Sequence, residues 1–245
     1  MSEKIALVTG ASGGIGQAIA RRLSKDGFAV CLHYYKNEQA ALSLRDELNA
    51  QGGHAIALPA DLADEAQAAA LVAECEKALG EVDVLVNNAG ISKQGLLTDL
   101  SAADWKRMFG VHVDGAFYLS RAVLPGMIRK KSGRIIQISS MWGISGGSCE
   151  VAYSAAKAAL IGFTKALAKE VGPSGITVNC VAPGVIDTPM NAHLSADDLA
   201  ALADETPLCR IGTPTEIADA VAFFAGDQST FITGQVLAVD GGITV

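Results

Sequence analysis

No block of basic residues interrupts this 245-residue sequence, and its formal net charge is −7 with a pI near 5.1. Nucleic acids and anionic membrane surfaces call for concentrated positive charge, so neither is expected as a partner. No apolar run approaches the roughly 20 residues that cross a bilayer. Met1-Ser2-Glu3-Lys4 leads straight into an apolar segment, so no secretory leader is expected. The five cysteines, Cys31, Cys75, Cys149, Cys180 and Cys209, form no C-x-x-C pair. An odd, scattered set predicts reduced core thiols in a cytoplasmic protein. None has a local setting for a catalytic nucleophile, and no metal is expected. No linker, low-complexity tract or break in composition divides the chain. It is therefore expected to be one domain over 1–245, and 50% hydrophobic residues suffice for a large core.

What is present is alternation. Apolar runs at 5–8, 29–34, 55–58, 82–86, 134–138, 177–181 and 236–239 read as strands. Helical patterns separate them, at 37–51, 64–79, 113–130 and 151–171 among others. Ser101-Ala102-Ala103-Asp104 and Thr213-Pro214-Thr215-Glu216 carry helix-start signatures. Ser195-Ala196-Asp197-Asp198 opens a short helix expected to lid a substrate. The pattern predicts an α/β fold: a doubly wound, open parallel sheet of about seven strands with helices on both faces. Ligands of such sheets bind beyond the carboxyl ends of the strands.

The first strand runs into Thr9-Gly10-Ala11-Ser12-Gly13-Gly14-Ile15-Gly16 and then a helix. Glycines in that context allow a tight turn and a close approach of backbone to a pyrophosphate at the helix N-terminus. Later strand ends carry further candidates: Asp61 and Leu62, then Asn87-Asn88-Ala89-Gly90, then Pro183-Gly184, Ile186 and Thr188. Asp61 suits an adenine amino group, Ala89 and Gly90 let a ring lie against the backbone, and Thr188 suits a carboxamide. An NAD site usually has a carboxylate at the end of the second strand. Here that position is Tyr34, flanked by His33, Tyr35 and Lys36. A lysine attracts the 2′-phosphate that a carboxylate would repel, so NADP(H) is expected over NAD(H). Gly13 counts against this, because a basic residue there would have helped hold the phosphate. The cofactor half is placed at about 1–110 and the catalytic half at about 111–245.

Tyr153 and Lys157 are four residues apart and share one helix face. Ser139 and Ser140 end the fifth strand upstream. Phenol, amine and hydroxyl suit carbonyl reduction. An ammonium would lower the tyrosine's ordinary pKa of about 10 toward working pH, and the serine would hold the carbonyl oxygen.

Together these motifs resemble the short-chain dehydrogenase/reductase family along essentially the whole chain. The thirteen-residue step from Ser140 to Tyr153 is part of the likeness. The resemblance implies that Ser140 rather than Ser139 is catalytic, and that Lys157 also binds the nicotinamide ribose. It implies an Asn at the position of His112, where it would hold a water linking the lysine to solvent. His112 is expected to take over that relay, titrating near neutrality. Ile232-Thr-Gly-Gln235 and Val239-Asp-Gly-Gly242 resemble the 3-oxoacyl-acyl-carrier-protein reductase group. His112, 124–128, 139–143 and 148–151 more sharply resemble the elongation factor P 5-aminopentanone reductase branch of Gram-positive bacteria. A hydroxysteroid or small-alcohol dehydrogenase, and a non-catalytic NADP-binding protein, are the remaining readings. Relatives are commonly tetramers, pairing through the long helices at about 101–130 and 151–171 and the C-terminal strand, which implies a homotetramer or a dimer here.

Overall fold

The computed structural model describes residues 3–191 and 195–245. Seven parallel strands form one sheet: β1 (Lys4–Val8), β2 (Phe28–Tyr34), β3 (Ala55–Pro59), β4 (Val84–Asn87), β5 (Gly133–Ile138), β6 (Ile176–Pro183) and β7 (Val236–Val239). Their order is β3-β2-β1-β4-β5-β6-β7. The chain winds outward from β1 in one direction and from β4 in the other, so the crevice between these two strands is the switch point where such sheets bind ligands.

Alternation along each strand separates two cores. Ala6, Val8, Val30, Leu32, Val84 and Ile136 face one layer. It is made of α1 (Gly14–Lys25), α2 (Glu38–Ala50) and α9 (Pro214–Ala225). Leu7, Cys31, Leu85, Ile135 and Val178 face the other. That layer holds α3 (Glu65–Leu79), α5 (Gly115–Lys130) and α7 (Val151–Val171). Burial on both faces explains why these strands read as unbroken apolar runs. Each fully buried leucine, isoleucine or valine contributes roughly 1.5–3 kcal/mol, so substitutions in either layer are costly.

The helix starts follow from their caps. Asp64 accepts from the Gln67 N–H at 3.1 Å and Ser101 from that of Asp104 at 3.1 Å. Ser195 and Asp198 form a reciprocal capping box at the start of α8 (Ala196–Glu205). α4 (Ala102–Phe109) does not end before α5. It passes through a wide turn of π-helix at Gly110–Asp114, which the periodicity did not show. A short α6 (Met141–Ser145) directly after β5 was also not foreseen.

Two of the five cysteines depart from the expectation of core thiols. Cys31, Cys75 and Cys180 are buried, whereas Cys149 and Cys209 are exposed. Both exposed residues have left-handed backbone, with φ of 61° and 52°, in loops that pack no layer. No helix among the described residues is long and apolar enough to cross a membrane.

Candidate active site

The carboxyl ends of β1 and β4 open into a cleft of about 1130 Å³. Its cofactor-side wall begins with the glycine turn. Gly10 has φ of 63°, and a Cβ there would lie 2.9 Å from Ala89 Cα. A Cβ at Gly16 would lie 2.2 Å from the Gly10 carbonyl oxygen, and one at Gly14 would lie 3.1 Å from Thr188 Cγ2. The turn is thus packed closely against the β4 loop and Thr188, with Ser12, Gly13, Gly14 and Ile15 facing the cleft at the start of α1. Thr9 ties it to the β4 loop: its Oγ1 accepts from the N–H groups of Asn88 (2.8 Å) and Ala89 (2.9 Å). The Asn88 side chain donates back to the Thr9 carbonyl at 2.8 Å. Asn88 therefore shapes the loop that carries Ala89 and Gly90.

A buried histidine completes this support and was missed as a site residue. His33 Nδ1 accepts from the Gly10 N–H at 3.1 Å, and Nε2 faces the Ala60 carbonyl at 3.0 Å. Burial pushes its pKa down to about 4, so the ring is neutral and Nε2 carries the proton.

Tyr34 must be corrected. It is buried, donates its hydroxyl to Glu38 at 3.0 Å, and does not line the cleft. The period-2 alternation of β2 turns it away, and puts His33 and Tyr35 on the cleft side. Tyr35, Lys36 and Asn37 form the wall there. Asp61 accepts two bonds of 2.8 Å from Nη1 of Arg107, another residue not singled out from sequence. Leu62, Pro183, Gly184, Ile186 and Thr188 line the same cleft.

The floor toward the other end holds Ser140, Tyr153, Lys157 and His112. Ser139 bonds the Lys157 carbonyl at 2.8 Å, a structural tie between β5 and α7. Ser140 instead faces the cleft, its Oγ accepting from the Trp142 N–H at 3.2 Å, and lies close enough to Tyr153 to act on its hydroxyl. The Lys157 ammonium donates to the Ile138 carbonyl at 2.8 Å and lies 5.4 Å from the Tyr153 ring centre.

Two electrostatic expectations change. Burial raises the Tyr153 pKa to about 12; Ser140 pulls it down and Glu150 adds to the rise. Burial, not the ammonium, dominates this phenol. Lys157 is itself lowered by burial to about 8. His112 packs edge-on against Tyr153, with ring centres 5.6 Å apart. Burial and the nearby Lys157 charge push His112 down to about 3, so it does not titrate near neutrality. Its Nε2 meets the backbone of Ile91, and its buried Nδ1 has no hydrogen-bond partner among the described residues.

The family model described as enoyl-(acyl carrier protein) reductase matches residues 10–244. The chain is 45% identical over 240 residues to the uncharacterized oxidoreductase YmfI of Bacillus subtilis, covering 98% of each. It is 44% identical over 240 residues to 3-oxoacyl-(acyl-carrier-protein) reductase FabG of Escherichia coli, covering 98% of this chain and 97% of that one. A crystal structure of a blue fluorescent protein from a metagenomic library, in complex with NADPH, matches with a TM-score of 0.92. The identity there is 39%, over 100% of this chain and 99% of that one. The chain belongs to the short-chain dehydrogenase/reductase family.

As a short-chain dehydrogenase/reductase it is an NAD(P)-dependent oxidoreductase, and its cleft fits that cofactor class. The side-chain-free cradle at Gly10, Gly14 and Gly16 meets the exposed N–H groups of α1, an arrangement suited to a pyrophosphate. At about 1130 Å³ the cleft is somewhat larger than the roughly 300–1,000 Å³ of ordinary small-molecule pockets. α8 forms part of the wall at that end through Ala201, Leu202 and Glu205. Residues 192–194, just before this helix, lie outside the described residues. Among the described residues, no group of histidine, cysteine or carboxylate side chains is placed to hold a metal ion.

Proposed function

We propose that this protein reduces a ketone to a secondary alcohol with NADPH, the ketone being carried as a 3-oxoacyl thioester on an acyl carrier. The observation that carries this reading is the convergence of Ser140, Tyr153 and Lys157 on one cleft floor. When bound, the reduced nicotinamide supplies the hydride. Ser140 and Tyr153 then present two hydroxyls to the carbonyl oxygen. A phenol held near 12 is protonated at working pH, so it is ready to give its proton to the oxygen as negative charge develops there. Lys157, anchored on Ile138, stabilises the phenolate left on Tyr153 until a proton returns to it, and would reach the ribose beside it. His112 serves as a neutral hydrogen-bonding group in the proton relay. The relatives named as 3-oxoacyl reductases support the carrier-linked substrate, and Lys36 supports NADP(H). The protein acts in the cytoplasm as a homotetramer in this reading.

A second reading is a ketone on a modified lysine of elongation factor P. Residues of the sharper sequence likeness, His112, Met141, Trp142 and Glu150, all line the cleft, which favours it. Oxidation of NADPH and NADH by the purified protein, with an acetoacetyl thioester as substrate, tests both. Fast NADPH-dependent turnover is the expected result. Tight NADPH binding without turnover would shift the assignment to the second reading, a hydroxysteroid or small-alcohol substrate, or a non-catalytic binder. An elution volume matching a monomer would remove the tetramer.

A further inference from the structure

The sequence offers one cation for a 2′-phosphate, Lys36, and none at Gly13. The fold brings a second from α4. Arg107 lines the cleft with its guanidinium carbon 5.2 Å from the Tyr35 ring centre. Lys36 Nζ lies 5.4 Å from the centre of the same ring. The two cations therefore share one aromatic platform, directly after the strand whose end meets the adenosine ribose in folds of this type.

Arg107 is also held from a second side. Its Nη1 bonds both carboxylate oxygens of Asp61. Both bonds to Asp61 use one nitrogen, so the donors on Nη2 and Nε stay directed elsewhere. The guanidinium is fixed by stacking and by pairing, which reduces the ordering a flexible side chain needs before it can grip a phosphate. Charge points the same way. Lys36 and Arg107 against Asp61 leave a positive balance at this end; without Arg107, Lys36 and Asp61 cancel.

We infer that Arg107 is a determinant of cofactor specificity, receiving the 2′-phosphate together with Lys36 and neutralising the Asp61 carboxylate that would otherwise repel it. This rests on the NADP(H) reading above. It places the missing basic residue of the glycine turn on α4, across the cleft.

Calorimetric titration with adenosine 2′,5′-bisphosphate and with AMP, which lacks only the 2′-phosphate, tests it without catalysis. The wild-type protein should bind the bisphosphate more tightly. Arg107→Met should weaken the bisphosphate by roughly tenfold or more and leave AMP within about threefold, as expected for loss of a charge-assisted pair. Arg107→Lys should fall between the two. Asp61→Asn combined with Arg107→Met should recover only part of the loss, because repulsion is relieved while the direct contact stays absent. An Arg107→Met protein that melts like wild type and keeps the wild-type preference for the bisphosphate would overturn the inference while the NADP(H) reading stands. A wild-type protein with no such preference would overturn the NADP(H) reading itself, before any variant is made.

Discussion

Replacing Gly16 by alanine isolates what the glycine turn does. The new methyl would sit 2.2 Å from the Gly10 carbonyl oxygen and 2.8 Å from Asn88 Nδ2. Neither neighbour can retreat cheaply. The Gly10 oxygen accepts from the Gly13 N–H at 3.1 Å, and the Gly10 N–H is held by His33. Asn88 Nδ2 is engaged on Thr9. Overpacking of this kind costs roughly 1–3 kcal/mol, and a contact with fixed backbone belongs at the upper end. Alanine gains about 1 kcal/mol over glycine within a helix, which offsets part of it. The net loss is roughly 2 kcal/mol, or about 4–8 °C in melting temperature for a chain of this size. Gly13→Ala is the control. Its Cβ would meet only the Gly10 oxygen, at an ordinary 3.5 Å, and its φ of −96° suits any residue. Losing a glycine at the helix cap costs it at most about 1 kcal/mol. Thermal melts with and without NADPH should show Gly16→Ala destabilised and barely shifted by cofactor, and Gly13→Ala close to wild type without cofactor. A Gly16→Ala protein melting within about 2 °C of wild type, with a full NADPH shift, would refute the reasoning.

Lys157 is lowered from 10.5 to about 8, so between those pH values the unfolded chain binds the extra proton and stability rises with pH; Lys157→Met should flatten that rise in urea midpoints measured from pH 8 to 10.5. A variant curve parallel to wild type would count against a buried, strained ammonium. His112, held near 3, should contribute no titration to the pH–rate profile near pH 6–7, and His112→Asn should lack any new limb there. A wild-type limb in that region that vanishes in the variant would restore the titrating role. His33→Phe leaves the Gly10 N–H and Ala60 carbonyl without their partner, at roughly 1–3 kcal/mol for each buried group. It should lower the melting temperature and weaken NADPH binding together; a change in neither would show that the turn holds without it.

The sheet was legible because its central strands are buried on both faces, so Ile5–Val8 or Thr177–Val181 have no other stable use. Helix starts were legible where a cap lies next to the helix in sequence, as at Ser101 and Ser195. The candidate site was readable where its residues follow strand ends or share a helix turn, as Tyr153 and Lys157 do. Tyr34 was misread although the signal was present: the alternation of a strand decides which of two neighbouring tyrosines faces the crevice. Arg107 carried no such signal, since its meeting with Asp61 and Tyr35 depends on how α4 lies against loops far away in the chain. The pKa values of Tyr153 and His112 were equally out of reach, because they follow from burial rather than from residue type.

The wide turn at Gly110–Asp114 sets a phase between two ends of the cleft. An α-helix advances about 100° per residue, so a turn with one residue more rotates everything after it relative to everything before. Upstream, that rotation leaves Arg107 toward Asp61; downstream, it leaves Leu119, Val123 and Met127 toward the sheet. Removing a single residue from 110–114 would keep a continuous helix and every side chain outside it, yet only one of the two faces could then meet its neighbour. Length at this point is therefore as constrained as residue identity, and a chain one residue shorter here would have to surrender either its arginine contact or its core packing.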